Sequence, residues 1–138
     1  MALAQEVTKI TTTADSSGHL SGRSFFINAI EADSTTDVGF KTVEYYVWMD
    51  VDNGSSDPSH SGKTGVEVDI SANDTANTVA TAVKNALDAL SNFSASVSTN
   101  EVTVTNANRG LVVDASNPSP GGTGFTISTT TIITIFLC

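Results

Sequence analysis

Cysteine occurs once, as Cys138, so no intrachain disulfide can form and stability must come from packing or from partners. A lone thiol also fits synthesis in a reducing compartment. Cations are scarce too: six Lys and Arg against fifteen Asp and Glu give a formal net charge of −9. That deficit argues against nucleic acid as a partner, because phosphate contacts need a cationic surplus. One cysteine and two histidines are too few soft ligands for a zinc site. No apolar run approaches the roughly 18 residues that span a bilayer. The longest, Ile132 to Cys138, has seven residues and reads as a strand, so no membrane partner is expected. Met1-Ala-Leu-Ala-Gln-Glu6 lacks the basic and apolar segments of a signal peptide.

Small hydroxyls fill the space left by these absences. Twenty Thr and 17 Ser in 138 residues favour strands joined by turns, because Thr suits a pleated surface and Ser suits loops. The first 20 residues are polar, with an extended arm or edge strand around Val7–Thr12 and a turn at Asp15-Ser-Ser-Gly18. Ser24–Ile30 is a buried strand, and Glu31–Gly39 an acidic loop. Val43–Asp50 is the strongest strand. Val43, Tyr45, Val47 and Met49 point one way, and Glu44, Tyr46, Trp48 and Asp50 the other. Asp52–Gly62 is rich in turn residues, and Gly65–Ile70 alternates apolar with acidic, so the two strands and their link are expected to form a long-loop hairpin.

The period then changes. Ala76, Val79, Ala80, Val83, Leu87 and Leu90 recur at steps of three and four, which predicts one amphipathic helix over about 74–92 with Asp74 as its N-cap. Ser94–Val97 and Glu101–Thr105 form a hairpin through Ser98-Thr-Asn100. Leu111–Asp114, Phe125–Ser128 and Thr131–Leu137 are further strands. The fold class is α+β, a mainly antiparallel sheet or sandwich with one helix packed on it. A single domain covers 1–138, with extended arms at 1–20 and 129–138.

Motifs that carry chemistry are thin. Gly62-Lys-Thr64 hints at a phosphate loop, but position 57 is Asp where that loop needs Gly, and a strand follows in place of a helix. Asp50, Asp52 and Asp57 crowd one loop, yet counting from Asp50 puts Gly54 at the fifth EF-hand position and Ser61 at the twelfth. A calcium site outside that pattern stays open beside the plainer reading that these residues build turns. Ser59-His60-Ser61 sets a histidine beside two hydroxyls without the orienting base and oxyanion hole that a nucleophile needs. Tyr46 and Trp48 share a strand face. Exposed, they are a stacking platform for sugars or a partner; buried, they are core, which their strand context favours.

Taken together, Phe25-Phe-Ile27, Tyr45-Tyr-Val-Trp-Met-Asp-Val-Asp52, Asp57-Pro58 and Gly62-Lys-Thr-Gly-Val-Glu-Val68 form one long pattern. It continues through Asn73-Asp-Thr-Ala76, Val79-Ala80-Thr-Ala82, Phe93, Val102-Thr-Val-Thr105, Gly110 and Gly124-Phe125-Thr126. Over about residues 7–127 the chain resembles a small module recurrent in structural proteins of tailed bacteriophages. The resemblance implies residues that determine a fold and carry no catalysis, and a location in the virion after assembly in the host cytoplasm. The expected function is that of a non-enzymatic capsid decoration or cement protein. Its expected partners are the major capsid protein or other virion subunits, and further copies of itself in a homo-oligomer. No cofactor and no metal are expected. A component of the tail tube, neck or tail fibre is one alternative, and a module binding host glycans through Tyr46 and Trp48 is another. Ile132, Ile133, Ile135, Phe136 and Leu137 are the candidate interface, by strand addition to a neighbour, unless they complete the chain's own sheet.

Overall fold

Among the described residues, alternation of small β-formers with apolar residues builds nine strands, and one change of period builds the helix. The computed structural model describes residues 2–3, 5–32, 39–110, 112–130 and 133–134. In chain order the elements are β1 (Ala2–Leu3), β2 (Gln5–Thr11), β3 (Ser24–Ala32), β4 (Phe40–Val51), β5 (Thr64–Ile70), α1 (Ala76–Asp88), β6 (Phe93–Ser98), β7 (Glu101–Arg109), β8 (Thr126–Thr130) and β9 (Ile133–Thr134). They form a four-stranded sheet in the order β6-β7-β2-β8, a three-stranded sheet in the order β3-β4-β5, and the short pair β1-β9. The α+β class and the dominance of antiparallel sheet agree with the expectation from sequence.

One core lies among the two sheets and the helix. The four-stranded sheet sends in Ile10, Val102, Val104 and Phe93, and the three-stranded sheet contributes Phe25, Ile27, Tyr45, Val47, Met49, Val66 and Val68. The helix adds Val79, Ala80, Val83 and Leu87, the stripe its periodicity implies. Each large side chain that leaves water completely, Phe25 and Leu20 among them, contributes about 1.5–3 kcal/mol.

The helix is shorter than the predicted 74–92, and its cap is Thr75. The Thr75 hydroxyl accepts from the Thr78 N–H at 3.2 Å, whereas the Asp74 carboxylate accepts from Ser71 N–H at 2.8 Å in the preceding turn. Beyond Asp88 the chain turns at once, and the Asp88 carboxylate accepts from Ala95 N–H in the edge strand β6. The β6–β7 hairpin forms as predicted, with Ser98 opposite Glu101 and Thr99 at a positive φ of 53°.

Three further expectations need correction. β2 is no edge strand or free arm: it lies inside the four-stranded sheet, between β7 and β8. β4 and β5 run parallel, Tyr45 opposite Thr64 and Val51 opposite Ile70, so their link is a crossover and not a hairpin loop. The twelve-residue link between Val51 and Thr64 is long enough to return along the sheet, as parallel pairing requires. Val112–Asp114 is not a strand. The chain there runs irregularly to a single bridge between Ser116 and Phe26, and then closes the free edge of β3 through Ser24 N–H to Gly121 O and Thr123 N–H to Ser24 O. Asn106 and Asn108 finish that edge by donating side-chain amides to the carbonyls of Asn28 and Ile30. Of the predicted strand Thr131–Leu137, Ile133–Thr134 is described and pairs with Ala2–Leu3. Most of the acidic loop expected at Glu31–Gly39 lies outside the described residues.

Candidate functional site

The face of the three-stranded sheet that turns away from α1 carries Tyr46, Trp48 and Asp50 on β4, with Gly65, Glu67 and Asp69 beside them on β5. Its aromatic part is roofed by the β4–β5 crossover. Tyr46 donates its phenol hydrogen to Asp57 Oδ1 at 2.7 Å, and the same oxygen accepts from Ser59 N–H. His60 sits edge-on to Phe26 and Tyr46, with ring centroids 4.8 and 5.0 Å away, and its Nε2 lies 2.9 Å from Ser24 Oγ. Lys63 extends over the Phe26 ring at 4.6 Å and reaches Glu44 at 3.3 Å. Gly65 is glycine for a steric reason: a Cβ there would stand 2.6 Å from Tyr46 Oη.

This roof settles the two readings of the aromatics. Tyr46 and Trp48 are 5 % and 6 % exposed, so neither presents a ring face to a sugar. The phenol of Tyr46 is held above its ordinary pKa, first by the hydrogen bond to Asp57, then by burial and by the negative charge of Asp57.

The fold also brings together a serine and a histidine that are distant in sequence. Ser24 and His60 have the distance of a nucleophile and its base, but Ser24 is 1 % exposed. The ring of His60 is wedged between two aromatics, and among the described residues no carboxylate orients its Nδ1. The pair fastens the roof to β3.

The three loop aspartates are separated by the fold. Asp57 serves Tyr46, Asp52 accepts from Ala72 N–H at 3.2 Å, and Asp50 accepts from Ser55 N–H at 2.9 Å. Asp50 instead meets Glu67 and Asp69, and carboxylate oxygens of the three lie within 4.8 Å of one another. Parallel pairing creates this triplet by setting Asp50 opposite Asp69, which sequence proximity does not signal. Glu67 is held above its ordinary pKa, first by a hydrogen bond with Asp69, then by burial and by a hydrogen bond with Asp50. Carboxylates this close repel one another when ionised, and the same oxygens are the ligand type a hard cation takes. Gly62-Lys-Thr64 is a turn, with Gly62 at φ 77°, and it leads into β5 and not into a helix.

At the opposite margin, β8 pairs with β2 from Thr11–Thr126 to Val7–Thr130, and β1–β9 carries the ribbon onward with Leu3 opposite Ile133 and Ala2 opposite Thr134. The described part of the C-terminal segment therefore completes the chain's own sheet. Ile132, Ile135, Phe136 and Leu137 lie outside the described residues, as does Cys138.

Phe25, Ile27, Tyr45–Met49, Val79, Ala80, Phe93, Val102, Val104 and Phe125 are buried, and Asp57 and Gly65 lock Tyr46. No helix among the described residues is long and apolar enough to cross a membrane. No family model matches the chain, and no significant match arises with a curated protein or a solved structure.

Proposed function

We propose that this chain is a non-enzymatic structural subunit of a tailed-bacteriophage virion, a capsid decoration or cement protein that binds neighbouring subunits through its terminal strands. The observation that carries the reading is the ribbon. Both ends of the chain pair with each other beyond the β2–β8 ladder, and β8 is the last strand of its sheet among the described residues. A ladder margin of this kind accepts a neighbour's strand through main-chain hydrogen bonds. Ile135-Phe-Leu137 follows β9 in sequence as a further apolar run. The resemblance over residues 7–127 supplies the virion setting, and the net charge of −9 keeps an assembled surface soluble.

Hydrogen exchange followed by mass spectrometry tests the edge. On concentration to the assembled state, amides of Thr126–Thr130 gain protection while those of α1 keep theirs. Unchanged β8 exchange in an assembly of defined size would remove this edge from the interface.

A further inference from the structure

Lys9, Lys41 and Lys63 each lie within 3.5 Å of a carboxylate, those of Glu101, Glu31 and Glu44. Arg23 has no carboxylate partner among the described residues, in a chain where acids outnumber bases fifteen to six. Its head group is nevertheless fixed: Nε–H donates to the His19 carbonyl at 2.9 Å and Nη1 to the Gly122 carbonyl at 3.3 Å. Two neutral carbonyls hold the guanidinium plane without cancelling its charge.

The fixed group lines a groove of about 490 Å³ together with Thr13, Ala14, His19, Gly122, Thr123 and Gly124. Gly124 leaves that wall open, since a Cβ there would meet nothing within 4 Å, so an incoming group can come close. His19 Nδ1 accepts from Ser16 N–H at 2.9 Å, which places the neutral ring's proton on Nε2 and gives the groove a second donor. The Thr123 hydroxyl is already engaged with Asn117 and with Phe125 N–H. Behind His19, Asp15 holds a negative charge 3.6 Å from Nδ1, so the local field is that of one cation partly offset. A monoanion matches that field better than a phosphate dianion does, and a carboxylate also matches the planar fork of arginine.

We infer that this groove is a carboxylate-docking site, and that its occupant is an Asp or Glu side chain of a second copy of this chain, paired with the fixed Arg23 guanidinium. The inference rests on the subunit reading above for its occupant, while the groove stands on its own geometry. Copies of so acidic a chain meet with like charges, and a preset cation without a carboxylate partner among the described residues selects the register in which one of those charges is neutralised.

Two measurements on the full chain test it separately. In the first, acetate is titrated in and the Arg23 Nε–H and the Gly122 and Gly124 amides are followed by NMR. A saturable shift that is lost in Arg23→Gln supports the groove; no saturation, or the same shift in Arg23→Gln, overturns it. Inorganic phosphate saturating at lower concentration than acetate would overturn the choice of carboxylate. In the second, self-association is compared by sedimentation for the wild type, Arg23→Gln, Arg23→Lys and the charge-matched control Lys84→Gln, whose ammonium lies 3.5 Å from Asn85 Oδ1. Arg23→Gln weakens association about tenfold, Arg23→Lys restores part of it, and Lys84→Gln stays within about twofold of wild type. Equal weakening by Arg23→Gln and Lys84→Gln would overturn the second copy as occupant. A wild type that stays monomeric at every concentration would also overturn that occupant, together with the subunit reading. The acetate result still judges the groove in that case.

Discussion

Tyr46 is held from three sides, and that makes Gly65 intolerant of any side chain. A methyl group on Gly65 would meet Tyr46 Oη at 2.6 Å and Cζ at 2.7 Å, and the ring cannot swing away without breaking its bond to Asp57 and its contact with His60. Gly65→Ala should therefore destabilise the fold by about 1–3 kcal/mol, read as a fall in denaturant midpoint at unchanged slope. A midpoint within error of wild type would show that the ring is free to move. Asp15 is the second residue on which much depends. Its carboxylate accepts from the N–H groups of Gly18, Leu20 and Asn73, tying the Asp15–Arg23 turn to the loop before α1. Burial raises its pKa, but these three donors and the charge of His19 outweigh burial and leave it below 3.8. A carboxylate with a lowered folded pKa stabilises above its unfolded value, and that contribution is lost as pH falls through the folded value. Asp15→Asn should thus cost stability at neutral pH, about 1–3 kcal/mol, and flatten the acid limb of the stability curve below pH 3.8. An acid limb as steep as that of wild type would assign that limb to other groups. At this scale the sequence was only partly legible. Asp74 reads as a cap because nothing in the sequence says that its oxygen serves Ser71, and Asp50, Asp52 and Asp57 read as a cluster because proximity along a chain is not convergence in space.

At the scale of elements, the β4–β5 crossover is the piece that gives the sheet its second buried face. His60 anchors it, through Ser24 on one side and two ring edges on the other. His60→Ala leaves a buried hydroxyl short of a partner and removes both ring contacts, at a cost of about 2–4 kcal/mol. Trp48 is the chain's one tryptophan, is buried, and shares the strand face of Tyr46, so its emission should shift to longer wavelength if His60→Ala opens that face. Unshifted emission would mean that the roof stays in place without its anchor. The strands β3 and β4, the helix stripe and the β6–β7 hairpin were all visible as period, because each buries one face or caps one tight turn. Strand direction was not visible, since turn residues and alternation look the same in a hairpin and in a crossover. The one usable signal was length: twelve residues exceed what a hairpin needs and suffice for a return. The edge of β3 was hidden for a related reason. It is closed by the irregular stretch before β8 and by two asparagine side chains, none of which has a strand's pattern.

For the whole molecule, the two ends that read as separate arms are partners of each other. Their pairing follows from β2 lying beside β8, a neighbourhood set across 114 intervening residues and written in neither end alone. It makes the terminal ribbon the continuation of the β2–β8 ladder, β8 being the last strand of its sheet among the described residues, and the proposed role depends on that margin. The most direct measurement is the solution mass of the full chain and of a chain lacking residues 131–138, by light scattering over a range of concentrations. Trp48 emission verifies in each sample that the fold is kept. A defined oligomer for the full chain, reduced to monomer by the truncation with Trp48 emission unchanged, is the predicted result. The same oligomer from both chains, or a monomer from both, would contradict assembly through the terminal strands.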